Sequence, residues 1–182
     1  MNYPNLISMA RLLSVPVLIW LLLSRHLVAA FWVFCGAGAS DFLDGLLARL
    51  LKERTELGAY LDPLADKALL VGTFVTLGVL GFIPLWLVIM VVSRDVLIIA
   101  GSLLMILFDR PLRVEPLFIS KINTAVQILL VCVLLGLAAL DRSAPLLSEG
   151  LFWLTGATTL LSGASYVKLW LEMMGGNAHE RL

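Results

Sequence analysis

The sequence predicts an all-α integral membrane protein with six transmembrane helices, and three observations carry that prediction. Of its 182 residues, 60% are apolar and 14% charged, against about 45–50% and about 25% in a soluble domain, and mean hydropathy is strongly positive. The apolar excess falls into runs of roughly 20 residues, the length a helix needs to cross a bilayer. The lysines and arginines between the runs are dense in alternate connections, the asymmetry expected of a chain threaded back and forth through a membrane.

Taken in order, the spans are placed at 6–24, 27–50, 58–81, 84–108, 118–140 and 148–171. The first is broken by Pro16 and has no small-x-small cleavage pattern, so it is expected to be a membrane helix and not a secretory signal. No Arg- and Ser-rich transit extension precedes it. The second and third flank the polar connection "LKERTEL" and carry the acidic residues considered below. The fourth holds Arg94 and Asp95 near its middle, where unpaired charge is costly and usually functional. The fifth opens with Ser120, Lys121, Asn123, Thr124 and Gln127, and the sixth follows "DRSAPLLSE". With short connections, no repeat and no linker, residues 1–182 are expected to form a single transmembrane domain.

Orientation follows from the short loops. The second and fourth, with the helix ends beside them, carry Arg49, Lys52, Arg54, Arg110, Arg113 and Lys121, while the first and fifth carry Arg25 and Arg142. The even-numbered loops and both termini are therefore expected on the cytoplasmic side. Trp20, Trp32, Trp86, Trp153 and Trp170 lie near span ends and read as interfacial anchors. Cys35 and Cys132 lie inside apolar runs without metal-ligand spacing and read as small buried apolar residues. A net charge of zero gives no reason to expect a nucleic-acid partner.

The stretch "SDFLDGLLARLLKERTELGAYLDPLADK" places four aspartates in otherwise apolar helices. On the second span, Ala37, Asp41, Asp44, Gly45 and Ala48 recur at intervals of mostly three or four and form one stripe; on the third, Gly58, Asp62, Ala65 and Asp66 do the same. In an antiparallel pair, Asp41 lies level with Asp66 and Asp44 with Asp62, the position sums differing by one. Four ionised carboxylates so close together repel one another and lose hydration. A pair of hard divalent cations, Mg²⁺ or Mn²⁺, compensates both effects, and two such ions form a clamp for displacement at phosphorus. Gly45 and Ala48 leave room for a nucleotide, and Arg49 at the helix end can hold a phosphate. The alternatives are a structural ion network with Arg49, Lys52, Arg54 and Lys67, or an ion or proton pathway, although the acids gather at one level and do not cross the membrane.

These residues resemble the signature of the CDP-alcohol phosphatidyltransferase family, D-x2-D-G-x2-A-R-x8-G-x3-D-x3-D. It is met at Asp41, Asp44, Gly45, Ala48, Arg49, Gly58, Asp62 and Asp66 with every spacer intact. A metal-dependent prenyltransferase also uses acidic clusters, but its usual pattern lacks the Gly-x2-Ala-Arg insert. The resemblance implies six transmembrane helices, a cytoplasm-facing site, usually a homodimer, and transfer of the phosphatidyl group of CDP-diacylglycerol to an alcohol with release of CMP. It implies that Asp41, Asp44, Asp62 and Asp66 bind two metal ions, and that Asp66 is also the catalytic base for the acceptor hydroxyl. It further implies that Asp41, Asp44, Gly45, Ala48 and Arg49 contact the CDP moiety.

For the acceptor, "PNLISMARLLSVPV", "LDPLADKALL", "SRDVLIIAG" and "EPLFISKINTAVQILLV" resemble the CMP-forming cardiolipin synthases of that family. This implies phosphatidylglycerol as acceptor, cardiolipin as product, and an acceptor phosphate bound by Arg94 and Lys121. A structural Arg94–carboxylate pair, and a helix cap with a snorkelling Lys121, are the plainer readings of those residues. Phosphatidylglycerophosphate synthase, which uses glycerol 3-phosphate, is the nearest alternative, since Lys121, Thr124 and Gln127 suit either. The link "FDRPLRVEP" is shorter than expected of the mitochondrial enzymes, which also carry an import extension, so a bacterial inner membrane is the expected location.

Overall fold

A computed structural model describes the backbone of residues 3–51, 56–107 and 117–174, and the side chains of 9–40, 65–105, 107 and 117–172. The described residues form six α-helices and no strand: α1 (Tyr3–Leu23), α2 (Leu27–Leu51), α3 (Glu56–Val79), α4 (Leu85–Leu107), α5 (Phe118–Ala139) and α6 (Pro145–Met174). Each boundary lies within three residues of the expected span. Helix α6 starts early because Pro145 suits a first helical position, where its fixed φ is helical and no N–H is needed.

Three helices end in the same way. After α1, the Arg25 N–H donates to the Leu22 carbonyl (3.0 Å) and the His26 N–H to the Leu21 carbonyl (2.9 Å), with Arg25 at φ 61°. After α3, Gly81 and Phe82 donate to Gly78 and Leu77, with Gly81 at φ 80°. After α5, Asp141 and Arg142 donate to Ala138 and Leu137, with Asp141 at φ 51°. This is the left-handed closure that satisfies the last carbonyls of a helix. It stops α3 at Val79 where hydropathy alone would run to residue 81.

The chain divides into two compact units, one of Met1–Ile83 with Val131–Pro145 and one of Pro84–Leu130 with Leu146–Leu182. In the first, α1 packs against both α2 and α3. Gly72 of α3 sits under Val15 and Ile19 of α1, where an added Cβ would stand 3.5 and 3.4 Å from their side chains. Gly136 faces the Phe31 ring at 3.4 Å in the same sense, and Arg25 lies 5.8 Å from the centre of the Phe82 ring. In the second unit, Met105, Tyr166 and Trp170 form a buried cluster with Ile98 and Leu117 packed on it. Trp170 is thus a core residue and not an interfacial anchor, because Gly101 leaves its indole a place to lie against α4. Trp20, Trp32 and Trp153 are exposed as expected. Cys35 and Cys132 are half-buried free thiols, less enclosed than their apolar surroundings suggested.

Polarity is distributed as in a membrane protein. Arg11, Arg94, Asp95, Asn123, Gln127, Thr158, Thr159 and Ser162 are buried, whereas Val96, Leu97, Ile99, Leu103, Leu104, Leu107, Leu160 and Leu161 are exposed. Hydrocarbon tolerates the second set and strongly disfavours the first. Leu85–Met105 and Phe118–Ala139 are long and apolar enough to cross a membrane unaided. Thr73 on α3 and Thr155 on α6, both buried, return their hydroxyls to their own helix, to Leu69 (2.6 Å) and Leu151 (2.7 Å), which satisfies those two donors.

The Gly101–Trp170 contact gives a direct check. Gly101→Val should drive its side chain into the indole and lower stability by about 1–3 kcal/mol, read as a fall in the thermal midpoint in detergent, whereas Gly150→Ala, in open space within α6, should hold or raise it.

Candidate active site

Helices α2 and α3 carry the acidic signature. Asp41, Asp44, Gly45, Ala48 and Arg49 fall in the last half of α2, and Gly58, Asp62 and Asp66 in the first half of α3. The side chains of Asp41, Asp44, Gly45, Ala48, Arg49, Gly58 and Asp62 lie outside the described residues, as does the whole of Lys52 and Arg54. The described members of the two stripes are Ala37, Ala65 and Asp66, and both alanines are buried. Both segments are helical throughout, which is the condition for each set of residues to share a stripe.

Asp66 has a partner that the acidic motif did not reveal. Arg11 of α1 donates from Nη1 to Asp66 Oδ1 at 2.7 Å, across 55 positions of sequence. The Arg11 side chain is fully enclosed, whereas that of Asp66 is 44% exposed. Arg11 is the one charged residue of α1 and is enclosed among apolar side chains, so its guanidinium gains by meeting a carboxylate of α3. The signal in the sequence was a single arginine inside the otherwise uncharged first span, in "SMARLLS". Beside this pair, a cavity of about 300 Å³ opens between α1 and α2, lined by Ala10, Arg11 and Ser14 on one side and Gly36, Ala37 and Ser40 on the other. It ends next to Asp41 in sequence, and the small residues of α2 make the space.

The residues expected at the acceptor belong to the second unit. Arg94 is buried and all three of its guanidinium nitrogens are hydrogen-bonded: Nη1 donates to Asp95 Oδ1 (2.9 Å), Nη2 to Ser120 Oγ (2.6 Å) and to Ser162 Oγ, and Nε also to Ser162 Oγ (3.2 Å). Its guanidinium lies 5.9 Å from the centre of the Tyr166 ring, and Gly163 makes room for its stem. The Arg94–carboxylate pair considered from sequence therefore exists, with Asp95, and both side chains are 6% exposed. Lys121, next to Ser120, is exposed. One turn further along α5, Asn123 Oδ1 accepts from Thr158 and Thr159 of α6, each at 2.9 Å. Sequence reasoning placed Asn123 at a helix entrance, and the structure places it in the core.

Residues 1–161 match the family model described as CDP-alcohol phosphatidyltransferase. The chain belongs to this family. Its relatives include a rat protein named cardiolipin synthase (CMP-forming), 36% identical over 90% of this chain and 59% of the relative. A rice chloroplast protein named CDP-diacylglycerol–glycerol-3-phosphate 3-phosphatidyltransferase 1 is 34% identical over 91% of this chain and 56% of its own. A Mycobacterium tuberculosis protein named probable phosphatidylglycerophosphate synthase is 32% identical over 96% of this chain and 84% of its own. This chain spans about three fifths of the length of the mammalian relatives it matches. Membership of the family also agrees with the membrane character of the helices.

The Arg11–Asp66 pair predicts unequal costs for two substitutions at Asp66. Asp66→Asn keeps an Oδ1 acceptor for the guanidinium, whereas Asp66→Ala removes it and should cost about 1–3 kcal/mol more, seen as the lower thermal midpoint of the two variants.

Proposed function

We propose that the protein transfers the phosphatidyl group of CDP-diacylglycerol to phosphatidylglycerol, giving cardiolipin and CMP. The observation that carries this reading is the complete acidic signature on two helices, together with Asp66 presenting its carboxylate from a fixed position. In this reading Asp66 takes the proton of the acceptor hydroxyl as that oxygen bonds to the phosphorus bearing diacylglycerol. The bond from that phosphorus to the CMP oxygen breaks, and CMP leaves.

Four carboxylates are a donor set suited to hard divalent cations, and the described one, Asp66, is 44% exposed although its partner is enclosed. Asp41, Asp44, Asp62 and Asp66 would hold two ions, Mg²⁺ or Mn²⁺, which when bound supply positive charge to the diphosphate and the leaving group. Gly45 and Ala48 let the nucleotide approach α2, Arg49 holds a phosphate, and Asp41 and Asp44 face the CDP moiety. Lys121 receives the phosphate of the acceptor from its exposed position. Arg94, its charge balanced by Asp95, serves the acceptor by ordering Ser120, the residue preceding Lys121.

Both units act together as one catalytic domain, a reading supported by a family match that extends over helices of each. The protein works as a homodimer in a bacterial inner membrane, with its site on the cytoplasmic side, a reading supported by the lysines and arginines of the even-numbered loops. The "SRDV" and "ISKINTAVQ" segments favour phosphatidylglycerol. A second reading, glycerol 3-phosphate as acceptor, is supported by the names of the rice and mycobacterial relatives.

The deciding experiment supplies the purified protein with CDP-diacylglycerol, Mg²⁺ or Mn²⁺ and either acceptor, and identifies the lipid product by mass. Cardiolipin is expected from phosphatidylglycerol; phosphatidylglycerophosphate formed from glycerol 3-phosphate would replace that reading. In the same assay Asp66→Asn should lower CMP release by at least about a hundredfold, and Lys121→Ala should raise the KM for the acceptor while leaving that for CDP-diacylglycerol unchanged.

A further inference from the structure

Two ion pairs between an arginine and an aspartate join buried parts of the described chain, and they differ in kind. In Arg94–Asp95 both side chains are 6% exposed, so the pair is closed on both sides and adjacent in sequence. In Arg11–Asp66 the arginine is fully enclosed and the carboxylate is 44% exposed. The first arrangement neutralises charge inside a helix cluster. The second holds a carboxylate from behind while leaving it presented outward.

The hold is set by the backbone. Val15 and Ile19, one and two turns beyond Arg11 on α1, straddle Gly72 of α3 at 3.5 and 3.4 Å. That close approach fixes the α1–α3 register, so Arg11 arrives level with Asp66 by helix packing. Ser14 Oγ donates to the Arg11 carbonyl at 2.6 Å and ties down the same turn. A guanidinium enclosed on all sides has few rotamers open to it, and the carboxylate it binds loses rotational freedom with it.

We propose that Arg11 is a positioning residue for the transfer reaction, holding the Asp66 carboxylate at the angle from which it takes the acceptor's proton. This rests on the reading of Asp66 as the base. Arg11 lies outside the acidic signature and, in this proposal, acts on the reaction through Asp66. A proton acceptor displaced by a fraction of an ångström loses most of its advantage, and misplacements near 1 Å cost about a hundredfold.

The test uses the full-length protein in detergent and two variants, Arg11→Gln and Arg11→Lys. The first readout needs no substrate: thermal midpoints of wild type, Arg11→Gln, Asp66→Asn and the double variant, all without metal. A non-additive shift is expected, and additive shifts would remove the ion pair and the proposal with it. The second readout is steady-state kinetics. Arg11→Gln should lower kcat by about tenfold to a hundredfold with KM for CDP-diacylglycerol within about twofold, and Arg11→Lys should recover part of that loss. An unchanged kcat, or a loss expressed only as a raised donor KM, would overturn the proposal. If Arg11→Gln does not fold, Arg11→Lys decides by the same criterion, since a single ammonium replaces the forked guanidinium. An active Asp66→Asn would overturn the base assignment instead, and the midpoint coupling would separate the two failures.

Discussion

A guanidinium enclosed among apolar helices must be met by a carboxylate, and the meeting of Arg11 with Asp66 organises the first unit of this protein. Leaving the enclosed guanidinium without its carboxylate would cost about 3–5 kcal/mol. The pair therefore ties α1 to α3 at one level, and the Gly72 approach to Val15 and Ile19 makes the same register compact. Asp66 in turn is the last residue of the acidic signature begun at Asp41. One ion pair thus links the packing of the unit to the residue that would carry its chemistry.

The second unit solves the same problem differently. Arg94 and Asp95 neutralise each other, and Ser120 and Ser162 absorb further N–H groups of the guanidinium. Asn123, Thr158 and Thr159 then join α5 to α6 by hydrogen bonds, the kind of contact that supports helix association where lipid offers no hydrophobic drive. In both units charged or polar side chains are buried while many leucines, valines and isoleucines stay exposed. This reversal follows from the solvent being hydrocarbon and not water.

Much of this was legible from residue order. Apolar runs of bilayer length located all six helices, because hydrocarbon thickness fixes their length and few residues can break them. That the aspartates lie on two helices was legible because helical periodicity needs only neighbours in sequence. What escaped was pairing between distant helices. Arg11 stood in a segment quoted for its resemblance, yet only the α1–α3 packing reveals that it reaches Asp66. Trp170 read as an anchor because it lies near the end of a span, but the missing side chain at Gly101 draws it inward. Asn123 looked like part of a helix entrance until two threonines of α6 were found against it. In each case the deciding contact spans from about thirty to seventy residues, beyond the reach of periodicity.

In the proposed function the aspartates of α2 and α3 form one site for two divalent cations. Electron paramagnetic resonance of the purified protein titrated with Mn²⁺ tests it most directly. Two Mn²⁺ per chain are expected, with a spin-coupled spectrum that Asp62→Asn abolishes. A single isolated ion with the ordinary six-line signal, or coupled binding that survives Asp62→Asn, would contradict it.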